Sequence, residues 1–168
     1  SAANAASIDD EDDATRVLVE HALFQFGVER LLAGRPALVH MGASFLRSGL
    51  YRALPPDQLL LELLADVDAD EESRALAIAA RAAGYRVALD DVVHVAQATS
   101  PDLLAIADIV KVDVSALAPD ELVPTIRTLR ALAPNAMVLA ERVEEVEQFR
   151  RAADAGFERA QLAVPAKD

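Results

Sequence analysis

The chain has 168 residues, enough for one ordinary domain with a hydrophobic core and too few for two large ones. It contains no cysteine, which excludes disulfide bonds, iron–sulfur clusters and cysteine nucleophiles and suits a reducing cytoplasm. The formal net charge of −12 disfavours binding to nucleic acid. We therefore expect any anionic ligand to be held through a divalent cation that carboxylates recruit.

The start of the chain is small and acidic. Residues 1–13 are predicted to form a flexible acidic lead-in, and residues 14–168 to form a single domain. No apolar run approaches the roughly 20 residues of a membrane helix, and the start lacks the basic region and apolar core of a signal peptide. These features predict a cytoplasmic protein that does not enter the membrane.

Helical stretches alternate with short apolar runs along the rest of the chain. Helices are predicted at 13–33, 70–84, 119–133 and 144–155 from apolar spacing and from capping residues. Apolar runs predict strands at 37–41, 59–64, 85–91, 108–114 and 136–141. Strands that are apolar on both faces and alternate with helices indicate parallel βαβ units. A doubly wound sheet and a (β/α) barrel both fit, and the lack of a glycine-rich dinucleotide loop favours the barrel.

Polar side chains recur late in these predicted strands, where the active site of a barrel lies. Because strand side chains alternate, Lys111 and Asp113 share one face, and the valines around them face the helices. The same reasoning predicts a set of hard oxygen ligands for Mg²⁺, Mn²⁺ or Ca²⁺, namely Glu62, Asp90, Asp91, Asp113 and Glu141. For each single position the alternative is an ion pair that caps the barrel, or a turn residue at Asp90 and Asp91.

Four segments resemble signatures of the EAL domain, the bacterial module that handles cyclic di-GMP. They are LLLELLADV, the paired aspartates of VALDDV, the lysine strand DIVKVD and the late glutamate strand VLAERVEEVEQF. The features PPDQLLLE, ADIVKVD and LAERVE resemble most the EAL half of proteins that join an EAL domain to an HDOD domain. Each motif is short, and their order and spacing make the resemblance specific.

The resemblance implies a TIM-like (β/α) barrel that hydrolyses cyclic di-GMP to linear pGpG with Mg²⁺ or Mn²⁺. By position, Lys111 and Asp113 would hold the attacking water and the metals, and Gln161 would support them. The implied metal ligands are Glu62, Asp90, Asp91 and Glu141, with His40 as a further candidate. A homodimer and a C-terminal HDOD domain in the full protein are further expectations.

The sequence also departs from the family pattern. His40 stands where the family has an asparagine, and the segment DDVVHV lacks the glycines of the usual loop. Ala65 replaces a second glutamate, and LAVPA follows Gln161 in place of glycine and aromatic residues. These substitutions predict a degenerate active site.

The Glu-Ala-Leu strand that names the family does not occur in the sequence, and we expect its place to lie before Ser1. A complete barrel has about 250 residues, which agrees with a missing first strand.

Three functions therefore compete. The first is a degenerate signalling module that binds cyclic di-GMP or a protein partner with little or no hydrolysis. The second is an active cyclic di-GMP phosphodiesterase, and the third is a different metal-dependent barrel enzyme that uses His40.

Overall fold

The computed structural model describes residues 37–68, 70–92 and 100–162. The predicted lead-in, the predicted helix over 13–33 and most of the altered loop after Asp91 lie outside the described residues. Backbone contacts divide the chain between Val87 and Ala88 into two compact units, which are described separately below.

The first unit contains two parallel strands and three helices. Strand β1 spans Ala37–Met41 and pairs in parallel with β2, Leu59–Leu63. Between them lie helix α1, Ala43–Ser48, and two short 3₁₀ turns, Leu50–Ala53 and Pro56–Gln58. Helices α2, Ala65–Asp68, and α3, Glu71–Ala82, follow β2.

Helix α3 begins where the sequence predicts it. Asp70 is the N-cap, and its side chain accepts a hydrogen bond from the Ser73 backbone N–H at 2.9 Å. The helix ends at Ala82, and Gly84 then adopts φ +98, a left-handed conformation that glycine tolerates without strain. Arg47 of α1 binds the Asp70 carboxylate at 2.7 Å, which ties the two helices together.

The core of the first unit forms from alternate residues of β2 and from two aromatic rings. Leu59, Leu61 and Leu63 are buried. The rings of Tyr51 and Tyr85 meet edge to face with centroids 5.1 Å apart. The Tyr85 hydroxyl donates to the Leu54 carbonyl at 2.9 Å, so a buried polar group is satisfied, and burial raises the pKa of Tyr85.

The second unit contains parallel strands in chain order. Strand β3, Arg86–Leu89, spans the division between the units and pairs with β4, Ile109–Asp113, which pairs in turn with β5, Met137–Val143. Strand β6, Arg159–Leu162, pairs with β5. The helices are α4, Pro101–Ile106, α5, Leu122–Leu132, and α6, Val146–Ala155, and a 3₁₀ turn covers Val114–Ala116.

The strands of the second unit have one fully buried face. Val110 and Val112 of β4 and Val138 and Ala140 of β5 are buried at 0% exposure, as the alternation of apolar residues predicts. The other face of β4 carries Lys111 and Asp113, and the sheet edge where β4 ends therefore presents polar groups.

The predicted α/β class with parallel strands is confirmed, and the differences concern element ends. Strand β3 stops at Leu89, so the paired aspartates follow the strand instead of lying within it. Helix α5 begins at Leu122, three residues after the predicted Pro119. Among the described residues, no helix is long and apolar enough to cross a membrane.

Candidate metal centre

In the first unit, the pairing of β1 with β2 sets His40 directly opposite Glu62. His40 Nε2 lies 2.7 Å from Glu62 Oε2. The Glu62 side chain is 0% exposed, whereas that of His40 is 54% exposed. A carboxylate with no contact to solvent is costly unless polar neighbours compensate its charge, and the imidazole is one such neighbour.

In the second unit, strand register brings the polar residues of β4 and β5 side by side. Lys111 pairs with Leu139, and Asp113 pairs with Glu141. Because neighbours in a parallel sheet point to the same face, Lys111, Asp113 and Glu141 extend from one face of the sheet. The Asp113 and Glu141 side chains are nearly buried.

Lys111 lies between two carboxylates. Its Nζ is 2.8 Å from Asp90 Oδ1 and 2.7 Å from Glu141 Oε1. The three side chains are between 10% and 17% exposed, so the ion pairs are shielded from water. The position of Asp90 depends on the end of β3, where the Val92 backbone N–H donates to the Lys111 carbonyl at 3.0 Å.

The two carboxylates beside Lys111 respond to it differently. Burial alone would raise the pKa of Asp90, but the hydrogen bond and charge of Lys111 outweigh burial and lower it. Burial raises the pKa of Glu141, and the neighbouring charge of Asp90 adds to this effect while Lys111 opposes it. Glu141 is therefore the more readily protonated of the two.

A second basic residue, Arg142, contacts the other two carboxylates of this unit. Its Nη2 lies 3.2 Å from Asp91 Oδ1 and its Nη1 lies 3.2 Å from Asp113 Oδ2. Asp113 Oδ1 also accepts hydrogen bonds from the Ser115 backbone N–H at 2.9 Å and from its hydroxyl at 2.6 Å. Asp113 is thus held from two sides, whereas Asp91 and Arg142 are both more than half exposed.

Asp91 and Arg142 share an uncommon backbone conformation. They are the two non-glycine residues with positive φ in the part of the chain that the structure describes, with φ 49 at Asp91 and φ 54 at Arg142. Aspartate tolerates the left-handed region better than most residues, whereas a long side chain such as arginine is strained there. At Arg142 the pairing of β5 with β6 is irregular between Ala140 and Val143, which is typical of a β-bulge.

The side chains of Asp90, Asp91 and Glu141 fit a divalent cation. One carboxylate oxygen from each lies within 4.8 Å of the other two. Carboxylate oxygens are the ligands that Mg²⁺ and Mn²⁺ prefer in proteins. Lys111 and Arg142 contact the same carboxylates, so a cation there would meet two positive charges of the chain itself.

The structure brings most of the predicted site residues of the second unit together at the ends of β3, β4 and β5. They are Asp90, Asp91, Lys111, Asp113 and Glu141. Gln161 lies in β6 and is exposed. His40 and Glu62 form their pair within the first unit, and their convergence with the other carboxylates stays a prediction.

Sequence reasoning did not find Arg142. Strand alternation puts it on the face opposite Glu141, and only the bulge and the positive φ turn its guanidinium toward Asp91 and Asp113. The signal in the sequence was a charged residue directly after a candidate ligand in an otherwise apolar strand.

Comparison with known sequences gives two curated relatives and no matching family model. The uncharacterized protein YuxH of Bacillus subtilis is 29% identical over 161 residues, which cover 92% of this chain and 38% of YuxH. The cyclic di-GMP phosphodiesterase CdgJ of Vibrio cholerae is 28% identical over 151 residues, which cover 88% of this chain and 34% of CdgJ. The chain thus spans little more than a third of the length of these relatives.

Solved structures give a consistent picture. The Bacillus subtilis YkuI protein, which has an EAL domain and was solved with cyclic di-GMP and calcium, matches with a TM-score of 0.63 and 18% identity over 89% of this chain and 42% of YkuI. The EAL domain of Mycobacterium smegmatis DcpA matches with a TM-score of 0.63 and 21% identity over 93% of this chain and 79% of that domain. The chain has the EAL-domain fold. The prediction of an EAL-type α/β fold is therefore confirmed.

Bound metals occur among the EAL-domain structures that this chain resembles. Klebsiella pneumoniae BlrP1, solved with manganese and cyclic di-GMP, matches with a TM-score of 0.63 and 22% identity over 89% of this chain and 44% of BlrP1. Divalent metals thus occur within the EAL fold, and the carboxylates of the second unit have the chemistry to bind one.

Proposed function

We propose that this EAL-type chain is a signalling module that binds cyclic di-GMP with weak or absent hydrolysis. The observation that carries the proposal is that every predicted ligand carboxylate already contacts a basic side chain of the same unit. His40 contacts Glu62, Lys111 contacts Asp90 and Glu141, and Arg142 contacts Asp91.

These contacts reduce the need for metal in the second unit. Its four clustered carboxylates and two basic side chains leave a formal charge of −2, which a single divalent cation balances. Phosphodiester hydrolysis with two metals needs ligands for both cations, and the charge of this cluster favours one. Ligand binding is therefore easier to support than rapid turnover.

A bound Mg²⁺ or Mn²⁺ would be held by Asp90, Asp91 and Glu141. Such a metal supplies charge that attracts a phosphate group and lowers the pKa of a coordinated water. Lys111 orients two of the ligands through its contacts of 2.8 Å and 2.7 Å. It also holds a positive charge at a place where a phosphate can approach the otherwise acidic chain.

The second candidate function is an active cyclic di-GMP phosphodiesterase that gives linear pGpG. It is favoured by the three ligand oxygens within 4.8 Å of one another and by the likeness to CdgJ, which is a cyclic di-GMP phosphodiesterase by name. Turnover that Glu62→Ala abolishes would support this function over the first. A metal enzyme that uses His40, a protein partner, a homodimer, an HDOD domain and a cytoplasmic location remain predictions.

The proposal is tested by titration calorimetry of the full protein with cyclic di-GMP in the presence of Mn²⁺. We expect saturable binding to the unaltered protein and weaker binding to Asp90→Asn, which removes one charge from the candidate metal centre. Asp120→Asn is the matched control because Asp120 is an exposed acidic residue before α5. Absence of binding to the unaltered protein would refute the proposal and favour a protein partner.

A further inference from the structure

We propose that Arg142 is a built-in counter-ion that competes with a divalent cation for Asp91 and thereby lowers the metal affinity of the carboxylate cluster. The inference rests on the proposed function, because it assigns a regulator to the same site. It concerns a residue for which neither the charge pattern nor the alternation of β5 predicts a role.

The geometry places one positive charge on a ligand atom. Arg142 Nη2 lies 3.2 Å from Asp91 Oδ1, while the cluster of Asp90, Asp91 and Glu141 has its ligand oxygens within 4.8 Å of one another. A cation that uses both oxygens of Asp91, or that draws this carboxylate inward, meets the guanidinium. The metal must displace Arg142 or share the carboxylate with it.

Arg142 can leave Asp91 more easily than Lys111 can leave Asp90. The Arg142 side chain is 57% exposed, so its guanidinium can turn into water at small desolvation cost. Lys111 is 13% exposed and contacts two carboxylates, so its removal would leave buried charges unpaired. Lys111 is therefore a fixed part of the site, and Arg142 is the exchangeable cation.

The backbone at Arg142 adds to this picture. A non-glycine residue at φ 54 costs of order 1 kcal/mol, and the cost is sustained only where the surroundings hold the residue in place. The irregular pairing between Ala140 and Val143 and the two contacts of the guanidinium hold it there. Both partners of the Arg142–Asp91 contact lie in the left-handed region, so a change at one is transmitted directly to the other.

Coulomb interaction sets the size of the effect. A unit charge some 5–6 Å from a divalent cation in a water-like medium changes the binding constant by about tenfold. The experiment is a calorimetric titration with Mn²⁺ alone for the unaltered protein, Arg142→Gln and Arg142→Lys. We expect Arg142→Gln to bind Mn²⁺ about tenfold more tightly and Arg142→Lys to stay close to the unaltered protein, because lysine keeps the charge.

Two further variants separate charge from backbone strain and from net charge. Arg142→Gly relieves the positive φ and removes the charge, so it should match Arg142→Gln. Arg150→Gln removes a charge from an exposed arginine of α6 that lies 4.0 Å from Glu147, and it should leave the Mn²⁺ affinity unchanged. Tighter binding in Arg142→Gly but not in Arg142→Gln would assign the effect to strain and overturn the proposal.

A double-mutant cycle tests whether Arg142 acts through Asp91. The gain from Arg142→Gln should disappear in an Asp91→Asn background and persist in an Asp113→Asn background. A gain that survives Asp91→Asn would contradict the proposed route, as would Mn²⁺ affinities that are equal, weaker or immeasurable in both Arg142→Gln and the unaltered protein. The proposed function fails separately, through absent cyclic di-GMP binding or rapid hydrolysis by the unaltered protein.

Discussion

Lys111 is the residue on which the candidate site of the second unit depends most. It sits between Asp90 and Glu141, which would otherwise be two neighbouring carboxylates with little exposure to water. Removal of one partner from a shielded ion pair leaves the other charge uncompensated. The role of Lys111 in holding the site together is therefore testable by stability alone.

We expect Lys111→Met to lower the free energy of unfolding by about 3 kcal/mol at neutral pH, because both carboxylates lose their common partner. Chemical denaturation in the presence of a chelator measures this without interference from metal. The double variant Lys111→Met with Asp90→Asn should recover part of the loss, since one of the unpaired charges is removed. Equal stability of Lys111→Met and the unaltered protein would show that the contacts contribute little.

At the scale of elements, helix α3 depends on the carboxylate at its N-terminus. Hydrogen bonding from Ser73 and, to a smaller extent, the charge of Arg47 lower the pKa of Asp70 to about 2. A carboxylate with a depressed pKa contributes stability above its unfolded pKa and loses it as the pH falls through the folded value. The contribution of Asp70 should thus be complete above about pH 4 and vanish toward pH 2.

The prediction is that Asp70→Ala lowers the melting temperature by about 2–6 °C at pH 7, through loss of the N-cap. The difference from the unaltered protein should shrink as the pH falls from 4 to 2. Thermal melts followed by circular dichroism across this range measure it, and Asp57→Ala, at an exposed acid in the turn before β2, serves as the control. A difference that stays constant down to pH 2 would exclude a stabilising role for the ionised side chain.

The elements that could be predicted from the sequence are the ones with strong patterns. Strand β4 alternates buried valines with polar residues, and α3 carries a capping aspartate and a following glycine. Helices α1 and α4 have six residues each, too few for a helical period to emerge. Strand β6 contains Arg159 and Gln161, and its pairing with β5 is a long-range contact that no local pattern reports.

The candidate site could be predicted in part for the same reason. Lys111, Asp113 and Glu141 follow from strand alternation and from the tendency of parallel strands to end at one edge. Arg142 could not, because its contacts depend on a bulge that reverses the expected direction of the side chain. The pairing of His40 with Glu62 depends on the register between β1 and β2, which a single sequence does not specify.

At the scale of the whole molecule, a net charge of −12 makes the chain a poor receptor for a dinucleotide anion unless cations are present. We therefore expect removal of divalent metal with a chelator to weaken cyclic di-GMP binding at least about tenfold, the effect of one nearby unit charge. Calorimetry with and without Mn²⁺ measures the change. Equal affinity in both conditions would mean that Lys111, Arg142 and other basic residues bind the phosphates directly.

The central claim is that the chain keeps the EAL fold and the carboxylate cluster but binds its ligand with little or no hydrolysis. The most direct measurement is a time course of linear pGpG formation from cyclic di-GMP with Mn²⁺ present, for the full protein and for Glu62→Ala. The account predicts ligand binding with product no higher than in Glu62→Ala. Sustained product formation that Glu62→Ala abolishes would contradict the account and identify an active phosphodiesterase.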